Sequence, residues 1–129
     1  MREAGNFVPE AGAFAAIRYK TGEYIGEIME VSGHRALVKV LAVLKHPEQG
    51  DLHNPYDPDV PMFHERRALS FTEKTYVPLG DMRPYSGGVP DYKQSLAAAV
   101  ERELAALDKL KRWAERGSGQ LEQLGREYR

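Results

Sequence analysis

The sequence has no cysteine. That absence excludes a disulfide framework, a thiolate nucleophile, cysteine-ligated zinc or iron–sulfur clusters and a thiol-borne lipid anchor, and it fits a reducing cytoplasm. Neither sign of charge dominates, since 18 Lys and Arg stand against 19 Asp and Glu for a formal net charge of −1. No global field then recruits a phosphate backbone or an anionic membrane, and nucleic acid is not an expected partner. No run approaches the ~20 apolar residues that cross a bilayer. The opening Met1-Arg2-Glu3-Ala4-Gly5-Asn6-Phe7-Val8-Pro9-Glu10 is broken by charge and has no signal-peptide core, so direct membrane insertion and export are not expected. The glycines at 22 and 26, or at 80, 87 and 88, match neither GxGxxG nor GxxxxGK and read as turn residues.

What the sequence does have is a long stretch, Lys45 to Arg67, with three of the four histidines and with Pro47, Pro55, Pro58 and Pro61. Each proline fixes φ and removes a backbone donor, so neither a helix interior nor a central strand survives here. Loops of this length in a compact domain are functional or disordered, and Leu52, Val60, Met62 and Phe63 supply anchors against disorder. The function is expected to use this loop.

With 42% apolar residues in 129, the chain supports one compact core and a small appendage. Met1 to Gly12 reads as a loose lead-in. Ala13–Tyr19 forms a first strand, although its alanines also permit a helix. Lys20-Thr21-Gly22-Glu23 turns on a glycine able to take positive φ, and Tyr24–Val31 follows with a bulge expected at Gly26. Ser32-Gly33 marks a tight hairpin into His34–Leu44. That third strand is apolar on both faces, with Ala36, Val38, Val40, Ala42 and Leu44 on one and Leu37, Leu41 and Val43 on the other. One face lines a core and the other needs a lid. Ala68–Phe71 reads as a fourth strand, and Thr75–Pro78 and Met82–Tyr85 as proline-marked edge pieces around Leu79-Gly80-Asp81.

The expected architecture is mainly β with a C-terminal α portion: a small SH3-like five-stranded barrel over residues 1–88, bearing the Pro/His loop 45–65. A helical hairpin over 89–129 packs on it. Asp91-Tyr92-Lys93-Gln94 has the form of a capping box. Leu96, Val100, Leu104, Leu107, Leu110 and Ala114 recur every three or four residues, placing an apolar stripe on the outer face of the third strand. Gly117-Ser118-Gly119 ends this helix, and Leu121, Leu124 and Tyr128 mark a second, shorter one.

His46, Asp51, His53, His64 and Glu65 carry donors that suit zinc, manganese or iron, which admits a metal-dependent hydrolase as the alternative function. Their spacing holds no His-x-x-x-His and no His-x-His. The plainer reading has the loop histidines and Asp51 hydrogen-bonding a backbone that prolines leave without ladder partners. His64-Glu65 beside Arg66-Arg67 offers an acid/base pair with an anion clamp, or an ion-paired strand entrance, and no serine, threonine or cysteine nucleophile sits in a recognisable turn nearby. Trp113 reads as a packing residue. A third class, a nucleic-acid or peptide module, lacks a basic patch.

Several runs together carry a resemblance: Tyr19-Lys20-Thr21-Gly22, Tyr24-Ile25-Gly26-Glu27-Ile28, Leu37-Val38-Lys39-Val40, His46-Pro47, Gln49-Gly50-Asp51-Leu52-His53, Phe63-His64-Glu65-Arg66, Pro84-Tyr85 and Val89-Pro90-Asp91-Tyr92. From Tyr19 to Leu96 the chain resembles the kinase-associated protein B (KapB) family. The resemblance implies a non-catalytic accessory protein of endospore-forming bacteria that supports a membrane sensor histidine kinase, KinB, in the sporulation phosphorelay, with no cofactor. The family is often called a lipoprotein, whereas this sequence has no cysteine to acylate, so membrane association is expected through the kinase. The resemblance brings no catalytic residues. The expected partner-binding face is the loop itself: His46, Gly50, Asp51, Leu52, His53, Tyr56, His64, Glu65 and Arg66, with no metal among them.

Overall fold

The computed structural model describes residues 7–129. The first half of the expected lead-in, residues 1–6, lies outside the described residues. The rest of it is tied down, since the Gly12 amide donates to Ile28 O at 2.8 Å and the Phe7 ring packs against the core.

Five strands form one antiparallel sheet: β1 (Phe14–Tyr19), β2 (Gly22–Ser32), β3 (Arg35–Lys45), β4 (Lys74–Pro78) and β5 (Met82–Pro84). Their spatial order is β4-β3-β2-β1-β5. The hairpin between β2 and β3 turns at Gly33, whose φ of 64° is the left-handed conformation expected of it. In the turn between β1 and β2, however, Lys20 takes the positive φ, at 55°. Gly22 instead lies in β2 with no room for a side chain, because a Cβ there would stand 2.5 Å from the Tyr24 hydroxyl.

The register of β2 against β3 slips between Glu23 and Tyr24, between Ile25 and Gly26, and between Ile28 and Glu30. Gly26 is thus at a bulge, as its position suggested. A Cβ there would meet the Val38 side chain at 2.3 Å and Lys39 O at 2.9 Å, so only glycine lets the two strands approach this closely. The bulges twist and curl the sheet around a core of Ile17, Tyr24, Ile28, Val38, Val40 and Val77.

The sheet does not close into the expected barrel. The 3-10 turn Leu79–Asp81 carries the chain from β4 at one edge to β5 at the other. Both edge strands are short and end on proline, Pro78 and Pro84, which has no amide to donate to a closing ladder. Ala68–Phe71 is not a strand either. Irregular backbone runs from His46 to Glu73, and the fourth strand begins at Lys74.

A single helix, α1 (Tyr92–Glu127), replaces the expected hairpin and runs unbroken through Gly117-Ser118-Gly119. At 36 residues, its length at 1.5 Å per residue is about 54 Å. Asp91 caps it, its carboxylate accepting from the Gln94 amide at 3.0 Å. Glycine costs a helix interior about 1 kcal/mol against alanine but does not by itself reverse the chain. Neither Gly117 nor Gly119 takes a positive φ, and Asp108–Arg112 and Gln123–Glu127 pair one turn apart on either side of them.

The helix does not cover the outer face of β3 along its length. Its first turns join the same core, where Ser95 and Ala99 are buried and Tyr92 and Leu96 half-buried. Leu37 and Leu41 stay half-buried, and Leu104, Leu107 and Leu110 face solvent. Docking is set by the β3 edge beyond β4: Val43 N donates to the Ser95 hydroxyl at 2.9 Å, and Arg102 Nη2 donates to Leu44 O at 2.7 Å. Side chains of α1 thereby satisfy ladder positions that no strand reaches. Past Glu103, which pairs with Lys45 at 3.4 Å, the helix leaves the sheet.

Candidate partner-binding loop

The irregular segment 46–73 leaves β3 beside the turn between β1 and β2, where Glu48 N donates to Thr21 Oγ1 at 2.8 Å. At its other end Leu69 is gripped by two tyrosines. Its amide donates to the Tyr24 hydroxyl at 3.2 Å, and its carbonyl accepts from the Tyr92 hydroxyl. Burial pushes both phenols above their ordinary value, so they stay protonated and available for these bonds. The Tyr92 ring also packs on Phe71, with centroids 5.7 Å apart.

Between these anchors the two limbs are stitched together through Gln49 and Arg66. The Gln49 amide group donates to Arg66 O at 2.9 Å, and its Oε1 accepts from the Arg66 amide at 2.8 Å. The Arg66 guanidinium reaches back to donate to Glu48 O at 3.3 Å and to Gly50 O. Gly50 is buried, its amide donating to His64 O at 2.9 Å. Its φ is 100°, and a Cβ would come within 3.0 Å of the Phe63 ring. Glycine is required here on both counts.

The expected site residues divide by what they touch. His46 is half-buried, with Nδ1 placed 2.9 Å from Pro47 O. Asp51 opens an Asx turn, its carboxylate accepting from His53 N at 2.9 Å and from Asn54 Nδ2 at 3.0 Å. These bonds, that from Asn54 first, hold its carboxyl below the ordinary 3.8. Leu52 is half-buried, whereas His53, His64 and Glu65 are exposed. Tyr56, at φ 66°, is 79% exposed, a strained backbone that turns an aromatic ring to solvent. Met62, Phe63 and Phe71 are further exposed apolar residues of the same segment.

No three His, Asp or Glu side chains converge as metal ligands among the described residues. Glu65 faces Arg67 at 3.6 Å across solvent, and Arg66 is committed to backbone carbonyls, so the four-residue run does not assemble an acid/base pair with an anion clamp. One open depression lies on the far end of α1 and another between Arg18 and Arg83, and neither is lined by residues of the loop. Reading residues alone misses Gln49, Thr21, Leu69 and the two tyrosines, whose pairings span 17 to 45 positions and leave no local pattern.

Comparison with known proteins decides the family. The model of the family described as "Kinase associated protein B" matches residues 19–129. The chain belongs to the kinase-associated protein B family. Among its relatives, the "Kinase-associated lipoprotein B" of Bacillus subtilis (strain 168) is 48% identical over 120 residues, which cover 92% of this chain and 94% of that protein. A crystal structure of kinase-associated protein B from Bacillus cereus is similar at 41% identity and a TM-score of 0.69, covering 79% of this chain and 80% of that one. The Bacillus subtilis relative is named a lipoprotein. In this KapB member no cysteine is present, and no helix among the described residues is long and apolar enough to cross a membrane.

Proposed function

We propose that this chain is a non-catalytic accessory protein that binds a membrane sensor histidine kinase of the KinB type and supports its activation in the sporulation phosphorelay. It acts in the cytoplasm and meets the membrane through the kinase. The loop of the 1–88 portion is the contact face, and the 89–129 portion carries the helix. One observation supports this assignment above the others: the segment is pinned at both ends and stitched by Gln49 and Arg66, yet its tip is exposed. A pre-shaped surface binds without the ~1 to 2 kcal/mol per residue of backbone entropy that ordering a free loop costs. His46, Gly50, Asp51 and Arg66 shape the face. Leu52, His53, Tyr56, His64 and Glu65 make the contacts, combining an exposed aromatic with polar groups.

The combined variant His53→Ala, Tyr56→Ala, Glu65→Ala removes contact groups without touching the stitches. Its melting temperature should match the parent's, while kinase co-purification falls at least tenfold and kinase-dependent sporulation drops. Parental co-purification and sporulation at equal expression would remove the loop from the account.

A further inference from the structure

The part of α1 beyond the sheet carries an apolar stripe that no other described residue covers. Leu107, Leu110, Leu121 and Leu124 are between 39 and 70% exposed, and Trp113 and Tyr128 are exposed beside them. Spacings of three and four alternate along Leu107, Leu110, Ala114, Gly117, Leu121 and Leu124, the a and d positions of a heptad seam. The stripe is symmetric about Glu115 and Arg116. Laid antiparallel on a second copy, Leu107 meets Leu124, Leu110 meets Leu121, and Ala114 meets Gly117, with every layer repeated by the twofold axis.

The flanks agree with that register. Lys111 falls opposite Ser118 of the second copy, Leu104 opposite Gly125, Trp113 opposite Gln120, and Ala106 opposite Glu127, so no like charges oppose one another. The overlap ends at a layer of Glu103 against Tyr128, and Glu103 is where the helix leaves its own sheet. The free length of helix is thus the length that the symmetric pairing uses.

The glycines point the same way. A Cβ at Gly117 or Gly125 would meet nothing within 4 Å among the described residues, so alanine would fit there and favour the helix. Both glycines lie on the seam or its flank, where a second backbone gains from their absence of side chain. Gly119 faces outward and has no such role. Leu104, Trp113 and Tyr128, each at least 61% exposed, extend the apolar surface beside the four seam leucines.

We infer that the chain forms a homodimer through an antiparallel two-helix coiled coil centred on Ala114 and Gly117, presenting the two sheet domains and their loops at opposite ends.

The full chain should sediment as a dimer at micromolar concentration. Leu107→Glu with Leu124→Glu places four carboxylates in two facing layers and should lower the association constant at least a hundredfold, whereas Ala105→Glu on the outer side should leave it within twofold. The cysteine-free background allows a register test. Mild oxidation of a mixture of single variants Leu107→Cys and Leu124→Cys should yield chiefly the mixed disulfide, because only facing positions bring Cβ atoms within about 3.5–4.5 Å. Circular dichroism on each variant separates lost pairing from lost fold. A parent chain that stays monomeric overturns the proposal, including the case in which the stripe variants instead lose kinase co-purification. A predominant Leu107→Cys homodimer overturns the antiparallel register.

Discussion

Arg66 and Asp51 show how charged residues in a proline-rich loop come to serve geometry. The Arg66 guanidinium donates through Nη1 to Glu48 O and Gly50 O, closing the loop where prolines leave carbonyls without ladder partners. Asp51 does the reverse with its acceptors, collecting the Asn54 side chain and the His53 amide. Both contacts favour the ionised form, so the folded carboxyl titrates below the ordinary 3.8. With the folded value depressed, its contribution to stability is present above the ordinary value and is lost as pH falls through the folded one. Asn54→Ala removes the larger cause and should raise the Asp51 value toward 3.8, as read from a carboxyl-carbon NMR titration. An unchanged value would mean that the Asx turn does not hold in solution.

At the scale of elements, two positions of α1 separate docking from display. Ser95 is buried and its hydroxyl accepts from Val43 N while donating to Tyr92 O at 2.8 Å. Ser95→Ala strands a buried amide and should cost about 1–3 kcal/mol in denaturant melts. Leu104, 61% exposed, should behave differently despite belonging to the same sequence stripe. Below the concentration of self-association, Leu104→Ala should shift stability by no more than ~0.5 kcal/mol, the usual range for exposed positions. A loss of ~2 kcal/mol or more, typical of a buried leucine, would place this turn of the helix against the sheet. The amphipathic period was legible in the sequence because it follows from 3.6 residues per turn. Which of its leucines meet β3 was not, because that depends on where the unpaired edge of β3 ends.

For the whole molecule, the contrast between a curled sheet and a projecting helix predicts uneven opening. Amides of β2 and β3, laddered on both sides, should exchange slowest with solvent, and among amides held in strands or helix those from Leu104 to Tyr128 should exchange fastest in dilute protein. Raising the concentration should slow exchange in α1 alone, read by hydrogen exchange with mass spectrometry; slowing spread evenly over the sheet would count against a helix-only dimer. The β2–β3 hairpin, the Gly26 bulge, the helix cap and the long irregular loop could all be read from residues, because each rests on chemistry a few positions apart: a left-handed glycine, an Asp at the helix start, four prolines. The family, too, was legible from short runs in their order. What only the tertiary structure decided is everything that depends on distant pairings. The open sheet follows from Pro78 and Pro84 at opposite edges, the committed role of Arg66 from Gln49 folding back on it, and the unbroken helix from Gly117-Ser118-Gly119 lying beyond the sheet, where no other described part of the chain forces a turn. Sequence alone specifies backbone preferences that act within a turn or two; whether a stripe is buried, a glycine ends a helix or an arginine is free depends on which surfaces the folded chain brings together.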